Sequence, residues 1–519
     1  MTEPVRAVLM EVDVLSPDGE PGVLRFSDRA VRPFPPTDPL RPNIGFDDRL
    51  NYPPALRRAF FDDLASLSPG LGFGAAILAN ADGGLDPWEA FTWGEMRIWL
   101  WTDGTPFSAA LPVTRGLTSP PEFSRPSRSP AQVRVSLYDY RAELERPLQE
   151  TRYAGDNDGE DVLYEGTADD LKNRPKPLAF GRLEDAHIPA PMVNAGVLAH
   201  QLHDGEIAGQ VEVFDRGDDA GFVDEGALVG AAFDAFEPDP ASHCQDLGRG
   251  LVKINGDPVG RLTFGLLGDA AGGYAETTGP VLARMLGRAG VPADRIGPSV
   301  SGLAAPAVIG AWFGDQVSGR DALGWVARSA MAVLAPDRAG VWAADRLAPP
   351  AAIAVHTISA DELVDVEPDA TTPAPAGEVR VGYGRIWTVF RGTEIAPALR
   401  GSPEEARLTE EYRWAVAEDA TVKARFPRTW RTIEVTTALR GEADALALAS
   451  DLKALFGLRP DGRPRRVWRL VIELTAAVLA VPLGATIAVE SDALDGLYLL
   501  IAEEPMRPRR DLCIWTVWG

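Results

Sequence analysis

Cysteine is nearly missing from this chain, with two in 519 residues, Cys244 and Cys513. That scarcity excludes a disulfide framework, and two thiols so far apart read as buried residues of a reducing compartment. Whether the two pair is a matter of geometry, which the sequence does not contain. Positive charge is also in deficit: 51 Lys and Arg stand against 75 Asp and Glu, a net charge of −24. Such a field repels phosphates, so specific nucleic-acid binding is not expected. Long uninterrupted apolar runs are lacking as well. The most apolar stretch, "LVIELTAAVLAVPLGATIAV" (470–489), carries Glu473 and Pro482 and reads as strands around a turn rather than a membrane span. The opening residues "MTEPVRAVLMEVDVLSPDGE" hold an early acid and no apolar stretch of signal length. No stable membrane association is expected, and synthesis in the cytoplasm is. No internal repeat recurs at a solenoid period.

What is present points to a β-rich globular protein. The chain is long enough for three or four domains. Its 51 glycines and 44 prolines suit the turns and fixed loops of such a fold. The expected class is α+β, predominantly β. Residues 1–150 read as β-structure: "VRAVLMEVDVL" and "GVLRFSD" flank a turn at Ser16-Pro17-Asp18-Gly19, and "FGAAILANADGG", "MRIWLWTDGTPFSAAL" and "AQVRVSLYDY" follow. "SPPEFSRPSRSP" (119–130) reads as an exposed loop. Residues 151–255 hold an acidic loop, "YAGDNDGEDVLYEG", then short strands and a short helix in "EGALVGAAFDAF". "LVKINGDPVGRLTFGLLG" reads as a hairpin turning at Asn255-Gly256-Asp257.

Residues 256–365 change period. "TTGPVLARMLGRAG" places Val281, Leu282, Met285 and Leu286 on one helical face, and "SGRDALGWVARSAMAVLAPDRAG" does so with Leu323, Val326, Ala327, Ala330 and Met331. The strand "AVIGAWFG" lies between them, which makes a small α/β domain. "VEPDATTPAPAGE" (366–378) reads as a linker. Beyond it, 379–519 reads as a β-rich domain with helices at "SPEEARLTEEYRWAVAED", opened by a Ser-x-x-Glu capping box, and at 441–456.

Four constellations invite a chemical reading. Asn80, Asp82, Gly83 and Glu89 fall at positions 3, 5, 6 and 12 of a calcium loop, but Leu78 at position 1 cannot ligate and Pro87 interrupts the register. Asp82 and Asp86 could act as an acid pair only in a cleft that raises one pKa. A turn between two strands, the second starting near Met96, accounts for the same residues more simply. His200 and His203, with His243 and Cys244, lack the spacing and the glutamate of a zinc protease. "GLLGDAAGG" (265–273) lacks the Lys-Ser/Thr pair of a phosphate loop. Trp515 and Trp518 read as packing in preference to sugar binding. No catalytic, metal or cofactor residue is assigned.

The order of motifs nevertheless resembles a known family, the hub or tail-tip proteins of long-tailed phages and gene-transfer-like particles. These are related to the baseplate hub of contractile phages. The matching pieces are "FGAAILANADGGLDPWEAFTWGEMRIWL", "KPLAFGRLEDAHIPAPMV", "HQLHDGEIAGQVEVFDRG", and "GRLTFGLLGDAAGGYAETTGPVLARML" with the two-helix unit through "DRAGVWAADRLAPP". The helix "EEARLTEEYRWAV" and a last strand closing on "WG" complete the series. Glu95 interrupts the family's Gly-Arg pair, and Arg216 stands where a glycine is commoner. The resemblance implies a non-enzymatic virion protein assembled in the bacterial cytoplasm. It would be a homotrimer in which each subunit gives two tube-like β-barrel domains to a ring closing the tail tube. Distal-tail, tape-measure and fibre or tip proteins would be its partners, and DNA would leave through it. The alternatives are a cell-wall hydrolase using Asp82 and Asp86, or a receptor-binding adhesin using the C-terminal tryptophans.

Overall fold

The computed structural model describes residues 6–38, 41–51, 54–63, 68–126, 130–157, 164–219, 221–370, 372–507, 509 and 511–519. The chain divides into two compact units, and each gathers separate stretches of sequence. The first holds Met1–Glu143, Leu334–Pro375 and Gly457–Gly519; the second holds Leu144–Val333 and Ala376–Phe456. The sequence reading runs in contiguous blocks instead. The stretch 379–519 is split between the units, and the expected linker carries one boundary, at Pro375. Its ends are ordered into strands Leu363–Pro368 and Ala376–Tyr383.

Strands dominate both units, as the alternating patterns require. In the first unit one long sheet runs in the order Pro21–Ser27, Arg6–Leu15, Thr92–Thr102, Leu111–Thr118, Gln132–Tyr138, Phe73–Ala79 and Ala55–Ala59. It continues through Asp495–Pro505, Leu512–Trp518 and Val467–Glu473 to Leu363–Pro368. Every neighbouring pair along this path is antiparallel. The N- and C-terminal stretches therefore share a sheet, joined where Arg58 faces Glu503 and Ala59 faces Ala502. One face of its first strands carries a charge ladder. Glu11 lies opposite both Arg25 and Arg97, and Arg97 lies opposite Arg115. Cross-strand pairs of opposite charge at this spacing stabilise the register. Glu11 and Arg25 are 2.9 Å apart, as are Glu95 and Arg115. Further along, the same face turns apolar, with Ala7, Leu9, Phe34, Phe46 and Trp101 in one cluster, and the opposite face carries the buried Val8, Met10 and Val12.

The second unit contains several smaller sheets. One orders Met192–Asn194, Ala199–Gln201, Leu251–Asn255, Ser242–Asp246 and Val223–Ala227; another orders Asp218–Asp219, Ile207–Asp215 and Leu262–Asp269. The two expected helices form at Thr278–Arg288 and Gly319–Arg328 and pack on each other. All the apolar residues assigned to their inner faces are buried, with Ala330 and Met331 just past the second helix end. Ser318 caps that second helix by accepting the Asp321 N–H at 3.0 Å. Between them, strand Gly310–Phe313 pairs with Leu178–Gly181. Helix Glu442–Phe456 packs on the sheet Arg413–Glu418, Ala376–Tyr383, Arg431–Thr436.

Five local expectations are corrected. The hairpin at Asn255-Gly256-Asp257 does not form. Strand Leu251–Asn255 pairs with Ser242–Asp246 and Ala199–Gln201, while Leu262–Asp269 joins Ile207–Asp215 in another sheet. The helix from Ser402 is only Pro403–Leu408, and Arg413–Glu418 is a strand. There Ala415 and Ala417 are buried at a period of two, which a sheet satisfies and a helix does not. Within the apolar run 470–489, a short helix, Ala476–Ala480, stands where only a turn is expected. In the loop 119–130, Glu122–Ser124 pairs with Gln132–Arg134, and 127–129 lie outside the described residues. In 225–236, Val223–Ala227 is a strand and the helix is confined to Ala231–Ala235. Of the acidic loop, 158–163 lie outside the described residues; Tyr153 and Tyr164 at its ends are buried against Phe233 and Cys244.

Candidate functional site

The turn after strand Phe73–Ala79 brings together all four residues of the calcium-like loop, and arginines meet their charges. Asn80 is buried; its amide oxygen accepts the Leu85 N–H and its amide nitrogen donates to Asp86, both at 2.8 Å. Asp82 is gripped at both oxygens by Arg49, at 2.8 Å each, and also accepts the Gly84 N–H at 3.0 Å. Arg125 reaches Glu89 at 2.7 Å and Asp86 at 3.2 Å. The Arg49 guanidinium holds Asp82 well below the usual carboxylate range. The Asn80 amide, followed by Arg125, lowers Asp86, and Arg125 lowers Glu89. Carboxyls held ionised in this way oppose a general-acid role. A one-turn 3-10 helix, Asp86–Ala90, comes next, and the second strand starts at Thr92, earlier than the expected Met96. Among the described residues no group of three or more His, Cys, Asp and Glu side chains could hold a metal. Millimolar calcium is expected to leave the melting temperature unchanged. A rise of several degrees that EDTA reverses would restore the metal reading.

The histidines are core residues. His200 lies in strand Ala199–Gln201 with Nδ1 3.1 Å from the Ala190 carbonyl, and His203 accepts the Ala179 N–H at Nδ1, 2.9 Å away. His243 sits in strand Ser242–Asp246 beside Cys244, which is buried and unpaired, as is Cys513. Burial, together with nearby arginines, pushes His187 and His203 down to about 3, and burial lowers His200. An unfolded histidine takes up its proton near pH 6.5, whereas His187 and His203 stay neutral in the fold until about pH 3. The unfolded state binds more protons between those values, so stability falls as pH drops from 6.5. A loss of roughly 2 kcal/mol per such histidine is expected between pH 7 and pH 5. Urea midpoints at the two pH values measure it, and His203→Asn should remove roughly 2 kcal/mol of the difference, its own share. An unchanged difference in that variant would assign the acid sensitivity elsewhere.

The glycine-rich stretch 265–273 is the end of strand Leu262–Asp269 and its turn. Its Asp269 is buried and accepts from Arg284 at 3.1 Å, with the Ala271 N–H at 2.9 Å, so it anchors helix Thr278–Arg288 to the strand. Trp515 and Trp518 lie in strand Leu512–Trp518 and are buried, which removes them from any exposed sugar-stacking surface.

One cleft, of about 350 Å³, has Tyr164, Lys176, Gln201, Asp204, Arg249 and Leu251 among its walls. They come from three separated stretches of the second unit. A local sequence signal for such a group does not exist, because only tertiary packing brings the three together.

No family model and no curated protein matches the chain. Among solved structures it is similar to the tail protein from Neisseria meningitidis MC58, at 10% identity over 98% of this chain and 96% of that one, with a TM-score of 0.39. It is also similar to the 43 kDa tail protein of prophage MuSo2 from Shewanella oneidensis, at 8% identity over 98% of each chain and a TM-score of 0.39. A third similarity is to a chain from the virion of a native gene transfer agent particle, at 15% identity over 73% of this chain and 91% of that one, with a TM-score of 0.42.

Proposed function

We propose that this chain is a structural subunit of a phage-type tail: a homotrimeric hub that closes the distal end of the tail tube. In this reading each subunit supplies two tube-like β-barrel domains to the ring. The hub would contact distal-tail, tape-measure and fibre or tip proteins, and leave a channel for DNA. The observation that carries the reading is the ordered series of motifs along nearly the whole chain. Several sit on a regular element or its turn. The Asn80–Asp86 turn leads from one strand of the long sheet, Phe73–Ala79, to another, Thr92–Thr102. "GEIAGQVEVFD" and "GRLTFGLLGD" form the antiparallel pair Ile207–Asp215 and Leu262–Asp269, with helix Thr278–Arg288 directly after. The final strand, Leu512–Trp518, is enclosed between two partners in its sheet. The net charge of −24 also suits a passage through which DNA slides without sticking.

A hub of this kind has large obligate interfaces, so it should stay trimeric on dilution. Size-exclusion chromatography with light scattering is expected to give three times the 55.7 kDa chain mass. A clean monomer throughout the micromolar range would sink the proposal.

A further inference from the structure

The cleft walled by Tyr164, Lys176, Gln201, Asp204, Arg249 and Leu251 has hydrogen-bonding capacity left over on both sides. The Asp204 carboxylate has no hydrogen bond or ion pair among the described residues. Gln201 is 6% exposed, and its Oε1 is a buried acceptor with no partner. Donors remain as well. Arg249 spends Nε on Asp246 at 2.7 Å and Nη2 on Asp234 at 2.6 Å, which leaves Nη1 without a partner among the described residues. Lys176 gives one N–H to Glu165 at 2.6 Å and keeps the others. Gln201 Oε1 is closed off from solvent, so the groups a ligand could reach are the Asp204 carboxylate, Arg249 Nη1 and the Lys176 ammonium.

The balance of signs selects the ligand. An anion would meet Asp204 and Glu165, and a cation would meet Arg249 and Lys176. A hydroxyl both donates and accepts, so a neutral polyhydroxyl molecule matches this mixed wall without stranding either kind of group. Leu251 lies buried beneath the cleft, and the Tyr164 ring, 9% exposed, packs under the Arg249 guanidinium at 5.1 Å. The cleft is rigidly built: Gly250 sits at φ +61°, where a Cβ would fall 2.3 Å from the His203 carbonyl oxygen, so the two loops flanking it meet backbone to backbone. Its volume, about 350 Å³, lies at the small end of ligand sites.

We propose that this cleft in the second unit is a saccharide-binding site. The proposal goes beyond the hub reading and does not depend on it, because binding is measured on the full chain whatever its oligomeric state. The probes are a bacterial glycan array and, for each hit, saturation-transfer NMR with the free neutral oligosaccharide; inorganic phosphate and spermidine serve as charged controls. At least one neutral glycan is expected to bind saturably. Asp204→Ala should weaken it by about tenfold to a hundredfold, the worth of hydrogen bonds to a charged group. Gly248→Trp, placed on an exposed loop position of the cleft rim, should abolish it. Both variants should melt as the wild type does. The proposal is overturned if no neutral glycan binds, if phosphate or spermidine binds more tightly, or if affinity is unchanged in both folded variants.

Discussion

Glu503→Gln is expected to destabilise the first unit by about 3–5 kcal/mol, the usual cost of removing one member of a buried ion group. Glu503 is 1% exposed, and its carboxylate is shared between two arginines. Arg58 approaches one oxygen at 2.6 Å and Arg338 takes the other. Each arginine also ties down a carbonyl, Arg58 that of Pro336 and Arg338 that of Val113, both at 3.0 Å. Burial already lowers the pKa of Arg58, and the Glu503 charge is what opposes that shift. Without the carboxylate two guanidinium groups face each other with no anion between them. Urea unfolding of the variant measures the loss. Replacing the whole group, Glu503→Leu with Arg58→Met and Arg338→Met, should recover part of it, because desolvation of all three charges is avoided while the Pro336 and Val113 carbonyls lose their donors. A loss below about 1 kcal/mol in the single variant would show that water reaches the group and screens it.

Lys253→Met should cost the second unit about 2–4 kcal/mol, since it strands buried carbonyls. Lys253 is 3% exposed, and its ammonium donates to the carbonyls of Phe233 at 2.9 Å, Phe236 at 3.0 Å and Asp234 at 3.3 Å. These carbonyls lie at the end of the short helix Ala231–Ala235, where that of Phe233 also accepts the Phe236 N–H at 3.3 Å. The ammonium also lies 4.8 Å from the centre of the Phe233 ring. Methionine keeps the apolar stem and removes every donor. Burial lowers the lysine's pKa, so part of the gain is already offset by desolvation, and the figure stays below the sum of three full hydrogen bonds. Hydrogen exchange at the amides of 231–236 should accelerate selectively. Protection equal to the wild type would mean that solvent takes over those carbonyls.

Much of the local structure is legible in the residues themselves. Period-two runs become strands, and the helices at Thr278–Arg288, Gly319–Arg328 and Glu442–Phe456 arise from apolar spacing, with Ser318 capping the second while Thr277 makes no side-chain cap to the first. Leu78 and Pro87 are enough to favour a turn over a calcium loop. The arginines that meet its carboxylates are not legible, because Arg49 and Arg125 lie 33 and 36 residues from Asp82 and Glu89. The capping box at Ser402 suggests a long helix, and the helix it starts is short. A cap fixes only the first turn, and the chain beyond that turn adopts whichever structure buries its apolar face.

By itself the sequence determined the β-rich character, the acidic charge and most of the local elements, since each depends on composition or on neighbours a few residues apart. Only the tertiary structure decided which strands pair, that residues 1–143 and 457–519 share a sheet, and where buried charges find partners. Arg58 and Glu503 are 445 residues apart, and no periodicity encodes a contact of that span. The Asn-Gly turn shows the same limit at short range: despite its local preference for a hairpin, its two strands pair in different sheets.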